Sequence, residues 1–264
     1  MTMAARPSRN SDSAPTTPAL RLHDPRLSQA LSGLRLDEPA RLRHPDINAW
    51  LQGRDLLCLP AGNRSPGYVR AKRIVDVVGA LLLLAMLSPL LVAVLAALAV
   101  TTRGRPIFKQ LRVGHCGRLF QLYKFRTMRP KSAKEQGAVA NEQSGPIFKN
   151  RRDPRITRIG FVLRKLSIDE LPQLINVLRG EMSLVGPRPA VPAEVAQYKT
   201  WHFQRLAVLP GLTCLWQVSG RCEIREFDDW ARLDLWYVQN QKLSTDFALL
   251  ARTPWSVLSC RGAY

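Results

Sequence analysis

The sequence predicts a helix-dominant α/β (α+β) domain that a helix-break-helix segment on its N-terminal side holds to a membrane. Three observations carry that expectation. An apolar run of 27 residues, 74–100, is interrupted by Ser88-Pro89; basic clusters flank it on both sides; and beyond it short strand-like and helix-like stretches alternate between Gly and Pro breaks.

Asp76 is the only charge in the apolar run. By length alone the run is a spanning helix, since about 20 apolar residues suffice. Pro89 argues against a simple span, because proline removes a backbone donor and clashes with the preceding turn. The pieces on either side, 74–87 and 89–100, are 14 and 12 residues long, the length of a re-entrant segment. The flanks point the same way. Arg70, Lys72 and Arg73 precede the run, and Arg103, Arg105, Lys109 and Arg112 follow it. A straight span would place one of these clusters outside, against the positive-inside bias. A hairpin entering and leaving one leaflet satisfies both and is preferred. A run that starts at residue 74 is also not placed like a secretory signal peptide.

Composition narrows the class further. The chain has 264 residues, with 39 Lys and Arg against 20 Asp and Glu, a formal charge of +19 and a pI near 10.7. Hydrophobic content of 46% excludes wholesale disorder. A mean hydropathy of −0.12 with a single long apolar run excludes a polytopic membrane protein. The positive surplus is local: residues 101–134 hold 10 basic residues and no acid, whereas 166–264 are balanced at 10 against 10. Such a surplus attracts polyanions, and beside an apolar run it favours a membrane surface and phosphorylated substrates. Cys58, Cys116, Cys214, Cys222 and Cys260 form no CxxC pair. Neither a disulfide framework nor a structural zinc site is expected, and a reducing compartment fits.

Three regions follow. Residues 1–65, rich in Pro, Ser, Arg and Asp, read as a largely disordered extension with short helical pieces near 26–36 and 46–57. Residues 66–113 form the membrane hairpin and its basic exit, and 114–264 a cytosolic catalytic domain. Within the latter, Leu119–Phe125 alternates as a strand, and 130–153 reads as a polar loop. Leu171–Arg179 predicts a helix with Leu171, Leu174, Ile175 and Leu178 on one face. Glu226–Gln239 predicts a second, and Phe247–Leu258 a third that Pro254 interrupts.

The densest chemistry lies in Arg164-Lys-Leu-Ser-Ile-Asp-Glu-Leu-Pro-Gln-Leu-Ile-Asn176. Pro172 belongs in a first helical turn, which puts Asp169 and Glu170 at a helix start. A structural reading is available, because Ser167-x-x-Glu170 matches a capping box. The functional reading rests on the setting: a positive helix end near Arg164 keeps a carboxylate ionised and attracts phosphate to the same place. An ionised Asp beside a bound phosphate is a candidate phosphoryl nucleophile, and its neighbour a candidate ligand for a divalent metal. Lys124 and Arg126 share a strand face by period two. Arg188 is held between two prolines, where a guanidinium fork suits phosphate.

These residues resemble the bacterial sugar transferases, the polyprenyl-phosphate phosphoglycosyl transferases with a monotopic anchor. The matching pieces are Lys72-Arg73-x-x-Asp76, Ser88-Pro89, Gly104-Arg-Pro-x-Phe108, Gln110-x-Arg-x-Gly114 and Tyr123-Lys-Phe-Arg-Thr-Met128. They continue with Asp169-Glu-Leu-Pro-Gln-Leu174, Val185-Gly-Pro-Arg-Pro189, Pro210-Gly-Leu212 and Trp216-Gln-Val-Ser-Gly-Arg221. The resemblance covers about residues 67–260. It implies a re-entrant helix bent at Ser88-Pro89 and a membrane-facing dyad on the cytosolic side of the bacterial inner membrane. Asp169 would attack the sugar-bearing phosphate of a UDP-sugar and release UMP. The phospho-sugar would then pass to undecaprenyl phosphate to begin an exopolysaccharide, O-antigen, capsule or glycoprotein glycan. Asp169 and Glu170 would hold magnesium, or manganese in its place. Arg164 and Arg221 become phosphate ligands, with Lys124, Arg126, Arg188 and Gln217 completing the substrate-binding set. The expected partners are the UDP-sugar, undecaprenyl phosphate and membrane lipid, with a homodimer as one form of assembly and no nucleic acid. Larger members carry extra membrane helices and a nucleotide-fold domain that 1–65 has no room for.

The rival reading is a membrane-tethered basic protein binding nucleic acid or anionic lipid without catalysis. The chain lacks zinc-finger spacing, a helix-turn-helix pattern and an aromatic RNA-binding stretch. A glycosidase also uses two carboxylates, but across a bond, which adjacent residues serve poorly. The identity of the sugar is not legible.

Overall fold

The computed structural model describes residues 64–129, 153–219 and 226–258. Pro66–Thr101 forms α1, with Ser65 capping its start by accepting from Tyr68 N. Ile107–Val113 (β1) and Leu119–Phe125 (β2) form an antiparallel hairpin in register Ile107↔Phe125 through Val113↔Leu119, closed by a 3-10 turn at His115–Gly117. Arg158–Lys165 is α2, followed by a 3-10 helix at Ile168–Gln173 and α3 at Leu174–Leu178. Ser183–Val185 (β3) pairs in parallel with Gly211–Thr213 (β4). Between them lie α4, Pro192–Val195, and a 3-10 helix at Thr200–Ala207. Leu215–Val218 (α5), Phe227–Gln239 (α6) and Leu243–Leu258 (α7) complete the described chain. Helix dominates, and the strands form two separate two-stranded sheets, which is the α+β end of the expectation.

The main core joins both sheets to the helices. Leu174, Val177, Met182, Phe203, Leu233 and Tyr237 are essentially inaccessible, and Trp216 stacks on Trp230. Backbone approaches explain two glycines. A Cβ on Gly211 would lie 2.0 Å from Gly186 N, so the start of β4 abuts the turn after β3 only because neither residue has a side chain. A Cβ on Gly160 would lie 2.1 Å from Thr127 O, so α2 seats directly on the chain leaving β2.

Several expectations need correction. Helix α1 runs without a break through Ser88-Pro89; Ser88 Oγ donates to Ala85 O, a side-chain bond of the kind that bends helices without ending them. Pro254 likewise lies inside α7. The segment 171–179 is part 3-10 and part α, so its apolar residues do not share one buried face: Leu174 is buried and Ile175 is 42% exposed. The partner of β2 is β1, so the hairpin crosses the expected boundary at 113/114. Of the described cysteines, Cys214 is buried and Cys116 is disulfide-bonded, a bond that the absence of a CxxC pair does not foresee. The expected extension up to residue 63 and the loop over 130–152 lie outside the described residues.

Helix α1 is fastened to the domain along its length. Arg73 donates from both terminal nitrogens to the carbonyls of Val177 and Leu178, at 2.6 and 2.9 Å, satisfying the open end of α3. Asp76 Oδ1 accepts from Ser183 Oγ and Leu184 N, both at 2.9 Å. Lys72 pairs with Asp246, which also accepts from the hydroxyls of Tyr68 and Tyr237. Ala80, Leu83 and Leu84 then enter the main core. Beyond Pro89, Leu91, Val94 and Leu98 pack with Ile107, Phe125, Leu163 and Ile168 in a second cluster. The other faces of α1 remain apolar and open, with Ile74, Leu82, Met86 and Val92 each more than 60% exposed.

Asp76→Ala leaves the buried Leu184 amide without its acceptor and should destabilise the protein by about 1–3 kcal/mol. Asp76→Asn keeps an acceptor oxygen and should lose much less. Thermal unfolding of the three proteins in one detergent checks the order.

Candidate active site

The 3-10 helix Ile168–Gln173 presents the adjacent carboxylates in its first turn. Ser167, in the left-handed conformation at φ 55°, links it to α2, a backbone state uncommon outside glycine and a frequent companion of functional turns. The capping-box alternative is not realised: the Ser167 side chain makes no capping bond, and Glu170 reaches across to β2 instead. Lys124 Nζ meets Glu170 Oε1 at 2.7 Å.

That contact depends on a residue the sequence reading passed over. Asn176, fully buried on α3, accepts from Tyr123 N at 3.1 Å and donates to Gln121 O at 2.7 Å and Glu181 Oε2 at 2.6 Å. Its amide stands in for a third strand on the open edge of β2. The next side chain along that edge is Lys124, so the amide sets lysine and dyad opposite each other.

A cleft of about 250 Å³ opens beside the pair, lined among others by Arg112, Lys124, Glu170, Gln173, Arg188 and Gln217. Lys124, Glu170, Arg188 and Gln217 were expected there, and the fold brings them together from β2, the 3-10 helix, the turn after β3, and α5. Arg112 and Gln173 are additions; both lie inside the sequence motifs, but nothing in their spacing marked them as cleft residues. Asp169, 7% exposed, lies next to Glu170. Arg164 approaches from α2, its Nε bonded to Thr127 Oγ1 at 2.9 Å, and its charge acts on Asp169. Arg126 is placed elsewhere. Strand β2 ends at Phe125, and the Arg126 guanidinium turns back to the carbonyls of Arg105 and Ile107 and over the Phe108 ring. The period-two argument fails one residue past the strand. Arg221 lies outside the described residues.

The electrostatics differ from the expectation that neighbouring cations hold Asp169 low. Burial dominates, and with the adjacent Glu170 it pushes the Asp169 carboxyl up to about 6, although Lys124, Arg164 and Arg188 pull the other way. Burial also lowers Lys124, offset by Glu170. Among the described residues no cluster of three or more His, Cys, Asp or Glu exists. The dyad therefore offers two carboxylates and no cage, a donor set suited to magnesium, which is commonly shared between one or two carboxylates and substrate phosphates.

Residues 67–260 match the bacterial sugar transferase family. The chain belongs to that family. Among similar members, the galactosyl transferase CpsE of Streptococcus agalactiae serotype III is 43% identical over 199 residues, covering 74% of this chain and 44% of that protein. The exopolysaccharide production protein ExoY of Rhizobium meliloti is 40% identical, covering 74% of this chain and 88% of that one. A UDP-glucose:undecaprenyl-phosphate glucose-1-phosphate transferase of Caulobacter vibrioides is 41% identical, covering 73% and 72%. The chain thus spans under half of the streptococcal sugar transferase and most of ExoY. All the cleft residues fall inside the family match.

Because folding raises the Asp169 carboxyl from 3.8 to about 6, its ionised form is disfavoured in the native state. The cost is fully present above about pH 6 and absent below the unfolded value, where both states are protonated. Asp169→Asn should therefore melt a few degrees above the parent at pH 7.5. The gap should close toward pH 4, since other acid-labile groups are common to both proteins. Paired melting curves across pH measure it.

Proposed function

We propose that this sugar transferase moves a sugar-1-phosphate from a UDP-sugar to undecaprenyl phosphate, with release of UMP, at the cytosolic face of the bacterial inner membrane. The observation that carries the reading is the buried Asp169 and its partly buried neighbour Glu170, with Lys124, Arg164 and Arg188 around them, beside the apolar anchor. The names of the Caulobacter relative and of ExoY agree with this chemistry and with a role in exopolysaccharide assembly.

An oxygen of ionised Asp169 attacks the sugar-bearing phosphorus; the bond from that phosphorus to the bridging oxygen breaks, and UMP departs with the electron pair. A phosphate oxygen of the lipid then attacks the same phosphorus, the Asp169 carboxylate leaves, and a diphosphate-linked lipid sugar results. Two anionic substrates meet, so Lys124, Arg164 and Arg188 offset their repulsion and steady the charge that develops in transfer. Magnesium held by Asp169, Glu170 and substrate phosphates would supply further charge neutralisation. Glu170 holds Lys124 in place until a phosphate competes for it.

Re-entry of α1 is part of the proposal. Asp76 and Leu98 are 22 residues apart, about 33 Å along a straight helix and comparable to the ~30 Å hydrocarbon core. Both are buried against the same domain. A span would place their contacts on opposite sides of the bilayer, so packing on both sides of Pro89 supports entry and exit through one leaflet. The second cluster includes Ile168, next to the nucleophile, which supports a dyad at headgroup depth. Exposed Ile159, Phe161 and Val162 give α2 an apolar surface beside the basic residues Arg158 and Lys165, the composition of an interfacial helix.

Asp169→Asn should abolish transfer while remaining folded, and Glu170→Gln should reduce it by at least about a hundredfold. Wild-type enzyme given a UDP-sugar and magnesium without lipid should gain one sugar-phosphate mass on the peptide containing Asp169. Undecaprenyl phosphate should then remove it. Lipid product without any adduct, and with intersecting kinetic lines, would overturn the covalent route.

Leu20→Cys and Asn240→Cys, each in a background without native cysteines, should both resist an impermeant reagent on intact cells and react after permeabilisation. Labelling of one position alone in intact cells would mean a straight span.

A further inference from the structure

Among the described residues three cations line the cleft, and Arg112 is the one that neither its motif nor the dyad explains. It projects from β1 and is only 6% exposed. Nη1 donates to Pro189 O at 2.8 Å and Nη2 to Gln110 Oε1 at 2.7 Å, while Nε is buried with no partner among the described residues. A buried guanidinium N–H without an acceptor is uncommon, because desolvation is uncompensated. Its surroundings make the position less comfortable still. Lys124 is already matched by Glu170, and Arg112 and Arg188 share one small cleft, where burial first and then repulsion from Arg188 lower Arg112 to about 10 despite the pull of Glu194 and Glu170.

The turn that carries Arg188 is braced around this spot. Arg112 holds the carbonyl of Pro189, and Arg205, itself paired with buried Asp234, reaches the carbonyl of Arg188 at 3.4 Å. The local chain is therefore fixed with its cations together rather than free to separate them. An arrangement that keeps two guanidiniums together beside an unused donor is complete only with an oxyanion between them.

We propose that Arg112 is a substrate ligand, its Nε and the guanidinium of Arg188, which lines the same cleft, forming a subsite for a phosphoryl group. The inference rests on the transferase reading for the identity of that group, which is either the phosphate retained by UMP or the phosphate of the lipid acceptor. A phosphate monoester fits both sources, and a planar donor suits it better than a lysine ammonium.

The test uses full-length protein in nanodiscs, comparing wild type with Arg112→Gln and Arg112→Lys. Calorimetric titrations employ pyrophosphate, UMP and uridine, with native mass spectrometry for a short-chain polyprenyl phosphate. Arg112→Gln should weaken pyrophosphate and at least one phosphate monoester by roughly tenfold or more, and leave uridine within about twofold. Arg112→Lys should recover part of the loss. Weakening confined to UMP assigns the subsite to the donor, and weakening confined to polyprenyl phosphate assigns it to the acceptor. Wild-type protein that binds pyrophosphate but not UMP would defeat the UDP-sugar reading and leave the subsite intact. Unchanged pyrophosphate affinity in Arg112→Gln, or a parallel loss of uridine, would overturn the proposal, since Arg112 would then only brace the turn.

Discussion

The ion pair between Lys124 and Glu170 ties the β1–β2 hairpin to the 3-10 helix, and the rest of the site is arranged around it. Neither partner could be half-buried alone without a large desolvation penalty. Pairing makes the placement tolerable, and Asn176 secures it by bonding to the strand edge on both sides of Leu122. With that junction fixed, Asp169 has a defined position one residue earlier in the chain. Arg188 and Gln217 arrive from the opposite side on a turn and a short helix that two glycines allow to pack closely.

Placing two carboxylates side by side in a largely buried position creates an electrostatic conflict. Two adjacent carboxylates repel, and burial disfavours the charge on Asp169 further. The surrounding cations offset this only in part, so the carboxyl sits well above its ordinary range. That balance suits the attack proposed for Asp169, which needs a carboxyl able to ionise and not tied up by a strong partner beforehand. Under the proposed function a phosphate entering the cleft would satisfy Arg188 and Lys124. The cations would then serve substrate rather than dyad.

Under the proposed function the anchor answers a second constraint, since a lipid phosphate lies at headgroup depth and the dyad would have to meet it there. Helix α1 does so by being gripped on both sides of Pro89. Polar clamps from Arg73 and Asp76 hold the first half, and apolar packing of Leu91, Val94 and Leu98 holds the second, next to Ile168. The helix is thus a structural wall of the catalytic domain as well as a membrane insert, which explains why Asp76 can sit within an otherwise apolar run.

The apolar run, its basic flanks, β2, α6 and the Asp169-Glu170 dyad were legible in the sequence, because each is a local pattern of period, charge or adjacency. The family resemblance was legible for the same reason, since motif order survives without coordinates. Tertiary structure decided the remainder. That helix continues through Pro89 depends on packing against the domain, and the exposure of Ile175 on a short 3-10-to-α junction. Whether Lys124 or Arg126 reaches the cleft turned on where β2 ends, a matter of one residue. Asn176 and Arg112 became visible as site residues only when strand, helix and turn met, because a buried amide or guanidinium takes its meaning from partners distant in sequence. The ionisation of Asp169 likewise could not come from its neighbours in the chain: they supply the cations, but only the fold supplies the burial that outweighs them.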